Sequence, residues 1–146
     1  MAANRGPQGL RVFDLTLSLG RRIDVVLRQT RCYASLADQL RRAAYSILLN
    51  ISEGAAHTIP GRKRYHYEIA DASTGECIGA LNRLRARYSH ADVQSLERDA
   101  TMISVMLMAL ARSVERQQPP RPPDPSYQTP YFKRRPCKRP SLKLRP

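Results

Sequence analysis

Residues 35–54, SLADQLRRAAYSILLNISEG, constrain the fold more than any other part of the chain. Laid out at about 100° per residue, Leu36, Ala37, Leu40, Ala44, Ile47, Leu48 and Ile51 share one arc of about 120°, the width of a core-facing stripe. Gln39, Arg42, Ser46, Asn50 and Glu53 share a second arc nearly opposite. The spacing predicts a helix with one buried face and one ordered polar face. Ser35 followed by Asp38 has the form of an N-terminal capping box, and Gly54 stands where a left-handed residue would end the helix. A merely solvated face has no need of Gln, Ser and Asn at these places, because Lys and Glu propagate a helix better than Ser or Asn. Gln39, Ser46, Asn50 and Glu53 therefore have two readings: a solvated surface, or a face that meets another chain or a nucleic acid.

The same periodicity recurs on both sides of this stretch. Val12, Leu15, Leu19, Ile23, Val26 and Leu27 predict a first helix over residues 10–30, with Arg21, Arg22, Arg28 and Arg31 on its remaining surface. Gly20 in its interior costs about 1 kcal/mol relative to Ala, which points to an irregularity or a close neighbouring helix. The short link of Cys32, Tyr33 and Ala34 favours an antiparallel second helix. Pro60 and Gly61 then mark a turn. Arg62, Lys63 and Arg64 form a compact positive tip at the start of a third helix, where cations oppose the helix dipole. They are not placed for helix stability; a solvated tip and a phosphate contact both fit.

The third helix, over residues 63–87, carries Ile69, Ala70, Ser73, Cys77, Ala80, Leu81, Leu84 and Tyr88 on its inner face. Gly75 and Gly79 in its middle are expected to lie against another backbone. Glu76 fits a surface position or an ion pair to an arginine such as Arg42. Arg83, Arg85 and Arg87 end the helix, where cations suit the dipole. Ser89 with Asp92 repeats the capping-box form and opens a fourth helix over residues 91–116. Val93, Leu96, Ala100, Ile103, Leu107, Leu110 and Val114 follow the helical repeat there without a break. Between residues 102 and 111 only Ser104 is polar, and Met102, Val105, Met106, Met108 and Ala109 fall partly outside the stripe that one bundle core needs. A helix apolar most of the way round is buried on most sides, and an exposed patch of that size is otherwise an aggregation liability. The expectation is a homo-oligomer, its interface built from Met102, Met106 and Met108 with Gln39, Ser46, Asn50 and Glu53. The fold class is all-α: an up-and-down antiparallel four-helix bundle over residues 10–116, after a flexible N-terminus of residues 1–9.

Charge bears on partners rather than on fold. The chain of 146 residues carries a net charge of +13, with an isoelectric point near 10.5. That balance favours polyanions such as RNA, DNA or an acidic membrane surface. From Gln117 the composition changes abruptly: nine of the eleven prolines lie in residues 117–146. This tail holds Arg121, Lys133, Arg134, Arg135, Lys138, Arg139, Lys143 and Arg145 against Asp124 alone, with Tyr127, Tyr131 and Phe132 interleaved. Such a segment lacks the apolar residues to order itself on a core. It reads as a disordered or extended Pro/Arg-rich arm that grips nucleic-acid backbone and stacks bases on its aromatics, or as a solubilising tail. Lys133 to Arg139 also has the form of a nuclear-localisation run, a motif of low specificity.

Several function classes lack their residues. Cys32, Cys77 and Cys137 are widely spaced, and His57, His66 and His90 have no metal-ligand spacing with them, so neither a metal site, a cofactor nor a disulfide framework is expected. A reducing cytosol suits this cysteine usage. No apolar run approaches the length of a membrane span. No catalytic constellation is present, neither a nucleophile elbow, a phosphate-binding glycine loop nor a zinc-protease motif; no enzymatic activity is expected.

The second and third helices carry a resemblance. Leu36, Gln39, Arg41, Arg42, Ala43, Ala44, Ser46, Ile47, Asn50, Ile51, Glu53 and Gly54 form a long motif, followed by the basic loop and then by Ile69, Ala70, Ala72, Ser73 and Glu76. This pattern resembles the four-helix-bundle proteins encoded in rRNA intervening sequences. Their superfamily includes the accessory variability determinant proteins of diversity-generating retroelements. The resemblance covers residues 10–116 and leaves the tail out. It implies an up-and-down bundle assembled as a basic homopentamer without enzymatic activity. In the retroelement branch it implies a reverse transcriptase and its nucleic acid as partners. Arg21, Arg22, Arg41, Arg42, Arg62, Lys63 and Arg64 on the bundle, with Lys133, Arg134, Arg135, Lys138 and Arg139 in the tail, are the expected phosphate contacts. The expected role is to bring template RNA and polymerase together; a structural oligomer that binds only protein is the alternative.

Overall fold

The computed structural model describes residues 7, 9–88 and 91–117. It contains four helices: α1 (Arg11–Thr30), α2 (Ala34–Ala56), α3 (Pro60–Arg87) and α4 (Ala91–Arg116). No strand occurs among the described residues. α2 packs extensively along α3, and α3 along α4, while α1 closes the square through smaller contacts with α2 and α4. The links at residues 31–33 and 57–59 are too short to carry the chain back along the bundle, so sequential helices run antiparallel. The bundle expected from the heptad-like spacing is the one observed.

The core is built from the predicted stripes. Leu19, Ile23, Leu40, Ile47, Ile51, Leu81, Leu84, Leu96, Ile103 and Leu107 are almost wholly buried, each contributing about 1.5–3 kcal/mol by removal from water. Leu36, Leu15, Tyr88 and Leu110 pack against this core from its rim. Thr74 and Tyr67 are also buried, and the inner-face pattern missed both. Thr74 is tolerated because its hydroxyl donates to the Ala70 carbonyl at 2.8 Å, as Thr16 does to Val12 at 2.7 Å.

Several local expectations are corrected. α2 starts at Ala34 with Tyr33 as its N-cap and no side-chain cap bond, so Ser35 and Asp38 form no capping box. The Asp38 carboxylate instead lies 3.2 Å from Arg42 one turn on. Gly54 does not end α2; it is buried inside the helix, which runs to Ala56. A Cβ at Gly54 would stand 2.6 Å from Tyr67 Cε1, 2.8 Å from Tyr67 Cδ1 and 3.3 Å from the Lys63 carbonyl oxygen. Its role is to admit the Tyr67 ring between α2 and α3. α1 runs unbroken through Gly20, and a side chain at Gly20, Gly75 or Gly79 would meet nothing within 4 Å. Gly75 and Gly79 fall opposite Cys77, Leu81 and Leu84 on the helical wheel, so they face outward rather than against a neighbour. Glu76 is likewise exposed and forms no pair with Arg42. α3 begins at Pro60, three residues before the predicted start, because proline at the first helical position lacks only an N–H that the helix does not use.

Candidate nucleic-acid interface

The bundle cations expected to hold phosphates divide into two groups. Four are already matched to carboxylates of the same chain. Arg22 of α1 pairs with Asp99 of α4 and donates to Ser95 Oγ at 2.9 Å. Arg41 Nε lies 2.9 Å from Asp24 Oδ1, and Arg42 Nε 3.2 Å from Asp38 Oδ2. Arg64 bridges helices, with Nε 2.6 Å from Glu68 Oε1 and Nη1 2.7 Å from Glu115 Oε1. Its hydrogen bond to Glu68 and the charge of Glu115 hold its guanidinium above the ordinary arginine range. Arg21, Arg62 and Lys63 form the second group and have no ion-pair partner among the described residues. Lys133, Arg134, Arg135, Lys138 and Arg139 lie outside the described residues, as does Ser89 of the second capping box.

Pairing matters because a polyanion responds to the summed field, and a carboxylate beside a guanidinium cancels most of it beyond a Debye length. Arg11, Arg28, Arg31, Arg83, Arg87, Arg98, Arg112 and Arg116 are also without a carboxylate partner among the described residues. Spacing along the chain offers a signal only for pairs one turn apart, such as Asp38 with Arg42 and Arg64 with Glu68. Antiparallel topology then sorts the unpaired cations. Arg11, Arg62, Lys63, Arg112 and Arg116 belong to the end where α1 and α3 start and α2 and α4 stop. The chain also leaves the bundle there, at Gln117. Arg28, Arg31, Arg83 and Arg87 belong to the opposite end, about 40 Å away along a helix the length of α3.

The polar side of α2 meets α3 in its second half, from Ser46 to Glu53. Ser46 Oγ and Ser73 Oγ are 2.8 Å apart across the two helices. The Asn50 amide donates to the Ser46 carbonyl at 2.9 Å, and its Oδ1 lies 3.2 Å from His66 Nδ1. His66 Nδ1 is also 2.9 Å from Glu53 Oε2, and its ring stacks on His57 with centroids 4.9 Å apart. Ser46, Asn50 and Glu53 thus have partners within the protomer, whereas Gln39 is exposed. Beside them Tyr45 and Leu49 stand out to solvent and, with Arg41 and Arg42, line a shallow open groove on α2.

On α4, Met106 packs against the core rim. Met102 is 54% exposed, Val105 53% and Met108 40%, which is unusual for side chains of this type in a protomer that stays alone. Farther toward the start of α4, one Glu97 oxygen is buried 3.1 Å from Arg85 Nε but outside hydrogen-bond alignment. Among the described residues no group of three His, Cys, Asp or Glu side chains is placed to hold a metal ion. No helix among the described residues is long and apolar enough to cross a membrane.

The family model for 23S rRNA-intervening sequence proteins matches residues 9–109. The match spans α1 to α3 and most of α4 and leaves out the tail. A solved structure, a protein of unknown function from the S23 ribosomal protein family of Bacteroides thetaiotaomicron, superposes with a TM-score of 0.62 at 22% sequence identity. The overlap covers 69% of this chain and 95% of that one, and it shows a shared fold. No match is found among curated proteins. By the extent of the family match, which takes in the α2 motif and its polar contacts to α3, the chain belongs to the 23S rRNA-intervening sequence protein family.

Proposed function

We propose that the protein is a non-enzymatic, structural homo-oligomer of the rRNA-intervening-sequence type, and that its unpaired cations carry RNA on the assembled surface. The exposed apolar face of α4 carries this reading. Met102, Val105 and Met108 stand open on a helix whose other side already fills the protomer core, and burial against a second copy removes them from water at about 25 cal/mol per Å². The free thiols of Cys32 and Cys77 suit a reducing cytosol. Sedimentation velocity of the full chain tests the assembly. The wild type sediments as an oligomer, and Met102→Lys with Val105→Lys shifts it to the monomer without loss of helical signal. A wild type that sediments as a monomer overturns the reading.

RNA rather than protein as the partner is favoured by the many arginines at both ends of the bundle that have no carboxylate partner among the described residues, and by the reference to rRNA in the family's name. DNA offers the same phosphates and is the control ligand. A five-fold assembly and a partnership with a reverse transcriptase rest on the α2 motif's resemblance alone. Pull-down of a co-expressed reverse transcriptase tests that branch.

A further inference from the structure

The end of the bundle remote from Gln117 has features that neither core packing nor helix capping requires. Tyr33, in the link between α1 and α2, is 56% exposed. The guanidinium carbon of Arg87, in the last turn of α3, lies 4.8 Å from the centre of the Tyr33 ring, and the same side chain donates to the Tyr33 hydroxyl. The two form a stacked pair at the surface. Arg83 stands one turn back on α3, and Arg28 and Arg31 lie in the chain just before Tyr33. None of these four arginines has a carboxylate partner among the described residues, whereas the neighbouring Arg85 lies against Glu97.

The helix dipole accounts for cations in the last turns of α1 and α3. It does not account for the residue that ends α1. Arg31 adopts a left-handed backbone with φ 45° and ψ 40°, and is the one non-glycine residue with positive φ among the described residues. Glycine is the residue that takes this conformation without strain. A long, exposed cation occupies the position instead, next to an exposed aromatic.

Guanidinium groups both clasp phosphates and stack on flat rings, and aromatic side chains take bases of any identity on their faces. We propose that this end of the bundle is a second nucleic-acid contact, specific for unpaired nucleotides. A base stacks on the exposed side of the Arg87–Tyr33 pair while Arg28, Arg31 and Arg83 hold the flanking phosphates. The proposal rests on the RNA reading above and extends it: Arg62 and Lys63 at the start of α3, with Arg112 and Arg116 at the end of α4, grip backbone at one end, and this stacked pair holds a single strand at the other. One protomer then engages two segments at once.

The test uses the full-length protein with a labelled short oligoadenylate RNA and a labelled RNA duplex of equal length, read by fluorescence anisotropy. Tyr33→Leu with Arg87→Gln lowers affinity for the oligoadenylate about tenfold, the loss of one stacked base, and affinity for the duplex about threefold or less. Arg31→Gly separates binding from folding: it raises the thermal midpoint by relieving the left-handed strain, yet weakens both probes by removing a cation. Unchanged affinity of the double variant for both probes overturns the inference and leaves the RNA reading standing. Equal losses on both probes overturn the base-stacking assignment. A wild type that binds neither probe removes the RNA reading itself, and this inference with it.

Discussion

Gly54 and Cys77 show how much a single position in this bundle is set by what crosses from the neighbouring helix. Adding one methyl at Gly54 places carbon 2.6 Å from a buried ring, and the Tyr67 side chain, 3% exposed, has no room to withdraw. Gly54→Ala is expected to cost about 1–3 kcal/mol by urea unfolding. Tyr67→Ala in the same chain should cancel most of that increment, so the double variant costs less than the two singles added. Cys77 is wholly buried, and burial pushes its thiol from the ordinary 9.0 up to about 12. The folded state therefore resists ionisation that the unfolded chain undergoes freely. Stability contributed by the neutral thiol is intact below pH 9 and is lost as pH rises from 9 to about 12. Burial raises the Tyr67 phenol in the same direction. Cys77→Ala should flatten part of this alkaline loss. In native protein iodoacetamide should label Cys32, which is partly exposed, and spare Cys77 until the bundle unfolds.

At the scale of elements, α1 is the least secured helix. It meets α2 and α4 through smaller contacts than α3 does, and it leans on two ion pairs, Arg22 with Asp99 and Arg41 with Asp24. Its amides should exchange through openings of lower free energy than those of α2 or α3, measured by native-state hydrogen exchange. Arg22→Ala should lower α1 protection further, by about 1 kcal/mol, with little effect on α3. The stripes of all four helices were legible because a helical face repeats within a few residues of chain. The polar face of α2 was legible as a face but not as a destination. Its Ser46, Asn50 and Glu53 turn to Ser73 and His66 of α3, and nothing along α2 itself names those partners. The same holds for Gly75 and Gly79, which were expected inside and stand outside, because a run of small residues does not say which arc of the wheel the neighbouring helix covers.

For the whole molecule, the quantity that matters is net cationic surface after internal pairing. If about six phosphates are neutralised, log affinity for RNA should fall with log salt at a slope of about −5. Arg62→Gln with Lys63→Gln should reduce that slope by about 2, since neither residue has a competing carboxylate among the described residues. Arg41→Gln should change it less, because Asp24 already offsets that charge. A flat titration in the wild type would count against RNA as ligand while leaving the α4 interface untouched. Removal of residues 117–146 separates the contribution of the tail, which holds +7 of the +13.

The number of helices, their inner faces, the apolar excess of α4 and the surplus of arginine were all determined by the sequence by itself. Each is a local or additive property: periodicity needs a few turns of chain, and charge needs only a count. Which arginines stay free for a polyanion, why Gly54 must lack a side chain, and that Arg87 lies over Tyr33 were decided only when the helices were brought side by side. Those facts join residues tens of positions apart, and their distances depend on how the helices pack against one another, which no spacing within a single helix encodes.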